Sequence, residues 1–221
     1  MHTYVKILQK VANRYAPSRV LSFDMVHVFK TLQLINEYGH VSREKLCEEL
    51  ELGEGSIKTL MRHLKMQHLI ESTNAGTKMT KKGNSFYSEL LTSIPSEISL
   101  SKCAVTLGKF NFAVLVKQMS SMIKDGIAQR DAAIRMGASG ATTLLFKDNK
   151  FLIPQTDFDS LEDDYQLSEQ LIKNLRPQDG DVIIIGSDNY SRMKAEFAAK
   201  SAALITIMNH EKHQPLKNLH H

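Results

Sequence analysis

The chain has 221 residues, 42% hydrophobic and 24% charged, with a net charge of +4 at pH 7. That composition suits a globular chain of two domains and excludes disordered and collagen-like classes. No apolar run approaches the roughly 18 residues that span a bilayer, and Met1-His2-Thr3-Tyr4-Val5-Lys6 has no basic segment followed by an apolar stretch, so a cytoplasmic protein is expected. Two cysteines, Cys47 and Cys103, without C-x-x-C spacing exclude a disulfide scaffold and a cysteine zinc finger.

Residues 4–15 place Tyr4, Val5, Leu8, Val11, Ala12 and Tyr15 at helical spacing before Ala16-Pro17, predicting an amphipathic helix in a separate segment, 1–17. Its apolar surface makes it a candidate dimerisation element. Ser22 is the expected N-cap of a helix through Met25, Val26, Phe29, Leu32, Leu34 and Ile35, which Gly39 ends. Ser42 opens a second helix, Arg43 to Leu50, and Gly53-Glu54-Gly55-Ser56 supplies a turn. A third helix from about Ser56 to Met66 has one apolar face, formed by Ile57, Leu60, Met61 and Leu64. At about 100° per residue, Thr59 and Arg62 point away from that stripe, with Lys58 and His63 on its flanks. Leu69 to Ser72 and Thr77 to Thr80 read as two short strands joined by Thr73-Asn74-Ala75-Gly76. Thr80 then caps a helix through Phe86, Leu90 and Leu91, and Pro95 closes a domain of residues 18–95.

Charge concentrates in this half. Residues 1–95 carry 13 Lys+Arg against 9 Asp+Glu, while 96–221 carry 15 of each. Between Ser56 and Lys82 there are six bases and one acid, Glu71, a footprint for a polyanion.

Three helices, a basic third helix and a hairpin at this spacing resemble the winged helix-turn-helix domain, and Leu69-Ile70 followed by Met79-Thr80-Lys81-Lys82-Gly83 resembles the wing ending of MarR- and PadR-type regulators. The resemblance implies that the third helix enters the major groove of double-stranded DNA while residues 74–78 meet the backbone or minor groove. Ser56, Lys58, Thr59, Arg62 and His63 are then the candidate contacts on the helix, with Lys78, Lys81 and Lys82 in and after the hairpin. Winged-helix regulators commonly pair, so a homodimer is expected.

Residues 96–221 form a separate α+β domain. Ala104 to Leu107 and Phe112 to Val116 read as a hairpin around Gly108-Lys109, and Met119 to Met136 carries helical spacing. Thr142 to Phe146 and Phe151 to Pro154 flank a turn at Lys147 to Lys150. An acidic linker, Asp157 to Asp164, leads to a helix, Leu167 to Leu175, a strand, Asp181 to Ile185, and an alanine-rich helix, Tyr190 to Met208. The order is ββαββαβα, so the fold class is α+β: an N-terminal winged helix followed by a separate α+β domain. Arg19 to Phe23, Gln129 to Ile134, Gly137 to Leu144 and Gly180 to Gly186 make the whole similar to a group of archaeal winged-helix proteins whose second domain has no assigned function.

Three features could hold a small molecule. The Gly137 to Thr143 loop offers backbone N–H groups and hydroxyls, with Ser139, Gly140 and Thr142 as candidates. Gly186 to Asn189 joins a strand to a helix N-terminus, with Ser187 and Asn189 as candidates. Arg130 borders an apolar stripe of Ile123, Ile127 and Ile134. Their structural alternatives are a helix C-cap at Gly137, an N-cap at Asp188 and an Arg130–Asp131 ion pair. Converging, the three would suit a small acidic or hydroxylated metabolite.

No Ser-His-Asp order with a nucleophile elbow, no Walker loop and no H-E-x-x-H occurs, so no enzymatic activity and no cofactor are expected. His210, His213, His220 and His221 are terminal and the acidic linker lacks calcium-loop spacing, so no metal is expected either. The expected function is a DNA-binding transcriptional regulator with an effector-binding or dimerisation domain. The rivals are an enzyme with its active site in residues 101–209 and a protein-interaction adaptor.

Overall fold

The computed structural model describes residues 3–13 and 21–213 and divides into two compact units, Met1–Leu90 and Leu91–His221. Tyr15, Pro17, Arg19, Val20, His220 and His221 lie outside the described residues.

The first unit contains α1 (Thr3–Ala12), α2 (Met25–Tyr38), α3 (Arg43–Leu50), α4 (Glu54–Met66), a hairpin of β1 (Ile70–Thr73) and β2 (Gly76–Met79), and the start of α5 (Lys81–Ser93). Asp24, not Ser22, caps α2. Its carboxylate accepts from Val26 N–H at 2.9 Å, and His27 Nδ1 accepts from Asp24 N–H at 3.1 Å, a capping box closed by histidine. Gly39, at φ 73°, ends α2, and Ser42 caps α3 by accepting from Lys45 N–H at 3.1 Å. Gly53 is the N-cap of α4, so that helix starts two residues before Ser56. The hairpin pairs Ile70 with Met79, and Val41 bridges to Thr77, fastening the hairpin to the α2–α3 connection. Thr80 caps α5 through Gly83 N–H at 3.0 Å.

The core of this unit joins Phe29, Leu32, Leu46, Ile57, Leu60 and Leu64, all at most 1% exposed. Tyr4, Val5, Leu8 and Val11 of α1 are buried with them, so α1 is part of this unit rather than a separate segment. Its apolar stripe is consumed inside the unit, which removes it as the expected dimerisation surface.

The second unit is a five-stranded antiparallel sheet in the order β3-β4-β7-β5-β6. Its strands are β3 (Glu97–Leu100), β4 (Phe110–Val116), β5 (Gly140–Lys147), β6 (Lys150–Leu152) and β7 (Val182–Asp188). β7 is central and buried along its whole length, which is why Val182 to Ile185 reads as an unbroken apolar run. One face packs α7 (Tyr165–Leu175) through Leu167, Leu171 and Leu175 against Leu115, Leu144, Phe146, Ile183 and Ile185. The other carries α6 (Ile127–Arg135) and α8 (Arg192–His213). α8 approaches closely because Gly186 meets it: a Cβ there would lie 2.2 Å from the Ala195 carbonyl oxygen.

Two expected elements are placed differently. The first strand is Glu97–Leu100; Ala104 to Leu107 instead folds into a loop, with Thr106 Oγ1 accepting from Cys103 N–H at 2.9 Å. The expected helix over 119–136 divides into a 3-10 turn, Ser120–Met122, and α6, separated by Gly126 at φ 78°. α6 buries Gln129, Ala132 and Ala133 and leaves Ile127 and Ile134 about half exposed. Small residues face α8 because the two helices pack together, and the Gln129 amide donates to Thr206 Oγ1 at 2.8 Å inside that contact. The acidic segment is ordered by its own carboxylates: Asp159 accepts from Phe151 and Leu161 N–H, and Asp164 caps α7. Among the described residues no helix is long and apolar enough to cross a membrane.

Candidate nucleic-acid interface

α3 and α4 pack as a helix-turn-helix, and α4 turns Ile57, Leu60, Met61 and Leu64 inward. Lys58, Arg62 and Lys65 are consequently exposed, with Ser56 and Thr59 partly so. Thr59 Oγ1 donates to the Gly55 carbonyl at 2.9 Å, which fixes its rotamer within the helix. Lys58, Thr59, Arg62 and Lys65 line an open groove of about 470 Å³ with Arg43 from α3 and Ser72 from β1. Four cations and no carboxylate line it. Arg43 and Ser72 carry no local signal: one reads as an ordinary first helical residue, the other as a strand end, and only the packing of α3 and the hairpin beside α4 brings them there. The adjoining cleft, about 440 Å³, includes Glu44 and Glu54, so the cationic character is greatest on the α4 side. Lys45, further along α3, is held above the usual lysine range chiefly by its hydrogen bond to Glu49.

The remaining basic candidates differ in kind. Lys78 pairs across the hairpin with Glu71 at 3.2 Å, so its charge is partly compensated. Lys81 is exposed, and Lys82 Nζ donates to the Gln67 carbonyl at 2.9 Å. His63 does not flank the groove. It is 1% exposed, packs edge-on against Phe23 and places Nδ1 2.8 Å from the Val11 carbonyl oxygen. The reason is α1, which occupies that side of α4 and which periodicity within α4 cannot reveal.

In the second unit the small-molecule candidates converge at one end of the sheet. Gly140 pairs with Ser187, Ser139 N–H donates to the Ser187 carbonyl at 3.0 Å, and Asn189 Nδ2 donates to Ser139 Oγ at 3.3 Å. A Cβ on Gly140 would lie 4.0 Å from Arg130 Cγ. Their polar atoms, however, tie loops together. Ser187 is fully buried and accepts from Leu107 N–H at 3.1 Å, and Thr142 Oγ1 donates to the Val105 carbonyl at 2.7 Å, so both hold the 101–109 segment in place. Arg130 pairs with its neighbour Asp131 at 3.0 Å, and of the apolar stripe expected beside it Ile123 is buried while Ile127 and Ile134 are exposed. Asp188 takes the amides of Tyr190 and Ser191 at 2.8 and 2.7 Å, occupying the place an anion would seek. Among the described residues no group of three or more His, Cys, Asp or Glu is arranged to hold a metal ion.

Two family models match the chain. Residues 26–85 match the PH0730-like, N-terminal domain, and residues 107–207 match a domain of unknown function, DUF4443. No curated protein matches. Among solved structures, the hypothetical protein PH0730 from Pyrococcus horikoshii OT3 is 27% identical, with a TM-score of 0.66 over 88% of this chain and 96% of that one. The two domain matches and the likeness across both units fit an archaeal two-domain protein in which a PH0730-like N-terminal domain precedes the domain of unknown function.

Proposed function

We propose that the protein is a cytoplasmic, DNA-binding transcriptional regulator whose first unit reads duplex DNA through α4 and whose second unit binds a small effector or pairs two copies. One observation carries the reading: the groove beside α4 gathers Arg43, Lys58, Arg62 and Lys65 with no carboxylate among them. Lysine and arginine supply the sequence-independent attraction to phosphate, and an arginine beside a threonine on an exposed helix face has the donors to read base edges. The order of α2, α3, α4 and hairpin is that of a winged helix, in which the helix corresponding to α4 lies in the major groove. For pairing, α6 keeps Ile127 and Ile134 exposed, whereas Ala195, Ala198, Ala199, Ala202 and Ala203 of α8 are buried within their own unit.

The reading is tested by selecting duplexes from a random pool with the full chain and measuring the affinity of the selected sequence. Enrichment of a sequence bound at least about tenfold more tightly than the pool supports regulation. A chain that retains no duplex at low salt is a protein-binding module instead.

A further inference from the structure

A cleft of about 560 Å³ opens in the second unit where β4 begins. Ala113 and Leu115 of β4 point into the α7 core, so alternation turns Phe110 and Phe112 to the α8 side, where both rings are partly exposed. Arg192 and Glu196 stand one turn apart on α8 along the cleft, and Lys102 and Lys109 reach it from the segment between β3 and β4.

The charges in the cleft are unbalanced. Lys109 Nζ lies 5.4 Å and Arg192 Cζ 5.6 Å from the centroid of the same ring, Phe110. Two cations gathered on one ring repel each other over roughly a Debye length, about 10 Å. Among the described residues no carboxylate pairs with Lys102, Lys109 or Arg192. Glu196, the acid in the cleft, is already held by the fully buried Lys200 at 2.5 Å; Lys200 also pairs with Glu97 at 3.1 Å and sits 5.4 Å from the Phe112 centroid.

We propose that this cleft binds a nucleoside phosphate. Its phosphate would neutralise Lys109 and Arg192, the latter through the fork of N–H donors that suits phosphate oxygens. Its planar base would lie against the partly exposed faces of Phe110 and Phe112, as bases stack on aromatic side chains elsewhere. The volume falls within the range of small-molecule pockets, about 300 to 1,000 Å³. The inference deepens the reading of the second unit as an effector-binding domain, rests on it, and is independent of DNA binding by the first.

Calorimetric titration of the full chain at physiological salt, with ATP, AMP, adenosine, inorganic phosphate, tripolyphosphate and a short single-stranded oligonucleotide, tests it. ATP and AMP bind, while adenosine and phosphate each bind at least about tenfold more weakly, because each lacks half of the recognition. Combined Lys109→Ala and Arg192→Ala substitution weakens ATP at least about tenfold, and Lys109→Ala alone does so in the same direction should the double variant fail to fold. Phe110→Leu weakens ATP and AMP by about tenfold, near the loss of one stacked base, and weakens tripolyphosphate clearly less, through the two cations that the ring no longer holds. Arg62→Ala in the first unit leaves ATP binding unchanged. The proposal is overturned by absence of nucleotide binding, by ATP and tripolyphosphate binding equally in the wild type and in Phe110→Leu, by ATP affinity indifferent to Lys109 and Arg192, or by binding of the oligonucleotide alone. Loss of duplex selection with ATP binding intact would remove the DNA reading and leave this one standing.

Discussion

His63 Nδ1 lies 2.8 Å from the carbonyl oxygen of Val11, 52 residues earlier in the chain. A carbonyl only accepts, so Nδ1 is the donor. The helix that presents Lys58 and Arg62 to solvent therefore holds α1 on its other side, and one element fixes both the cationic face and the N-terminal helix.

His63→Ala removes that hydrogen bond and a buried ring, and is expected to destabilise the first unit by about 1 to 3 kcal/mol. Arg62→Ala, one residue away but exposed, should stay within about 0.5 kcal/mol of wild type. Urea unfolding of both variants measures the contrast, and equal stabilities would mean that His63 does not anchor α1.

Two glycines stand where backbone meets backbone. A Cβ on Gly83 would lie 2.0 Å from the Leu69 carbonyl oxygen, and one on Gly186 would lie 2.2 Å from that of Ala195 and 2.5 Å from the Ala199 nitrogen. Neither neighbour is a flexible side chain, so Gly83→Ala and Gly186→Ala should each cost about 3 kcal/mol or more, at the upper end of overpacking penalties. Gly53→Ala, with nothing within 4 Å of the added carbon, is the matched control. Melting temperatures of the three variants decide whether the backbone packs this closely at the two positions.

Lys200 is fully buried between Glu97 and Glu196. Lys200→Met keeps the chain length but withdraws the cation that both carboxylates share, and is expected to cost about 3 to 5 kcal/mol, the range for breaking a buried pair. Adding Glu196→Gln to Lys200→Met should recover part of that loss. A double variant whose denaturation midpoint is no higher than that of Lys200→Met alone would show that the cost comes from packing rather than from charge.

Much of this architecture is legible in the residue order, for reasons visible at particular positions. Ile57, Leu60, Met61 and Leu64 repeat strictly enough to orient α4, and the Thr73 to Gly76 turn announces the hairpin. β3 is not legible: Glu97-Ile98-Ser99-Leu100 is a four-residue edge strand with weak alternation, while Ala104 to Leu107 before a glycine imitates a hairpin arm. α6 misleads in another way. Its two isoleucines face outward because contact with α8 selects Ala132 and Ala133, and periodicity weighted by side-chain size points to the wrong face. Asp24 displaces Ser22 as a cap through His27, a partner outside the usual glutamate or glutamine box. At the groove, Lys58, Thr59 and Arg62 follow from helical angles alone, but Arg43 joins them only through tertiary packing, and His63 leaves them for the same reason.

Base reading and phosphate anchoring should separate by position. Arg62→Ala is expected to weaken the selected duplex by about 1 to 3 kcal/mol and relax its sequence preference, whereas Lys81→Ala should weaken selected and random duplexes alike. Arg43→Ala should resemble Lys81→Ala if it contacts backbone from α3. Competition between selected and random duplexes for each variant reads the difference, and a uniform loss for Arg62→Ala would place that residue among the phosphate contacts.

The most direct test of DNA binding through the α4 groove is duplex affinity of the full chain, followed by fluorescence anisotropy across salt concentrations. Each neutralised phosphate contributes about 0.9 to the slope of log affinity against log salt. With Arg43, Lys58, Lys65 and Lys81 engaged on phosphate, the expected slope is about −3 to −5 per copy, and Lys58→Ala with Lys65→Ala should flatten it by about 2. A slope unchanged in that double variant, or no duplex binding at low salt, would contradict DNA recognition through this groove.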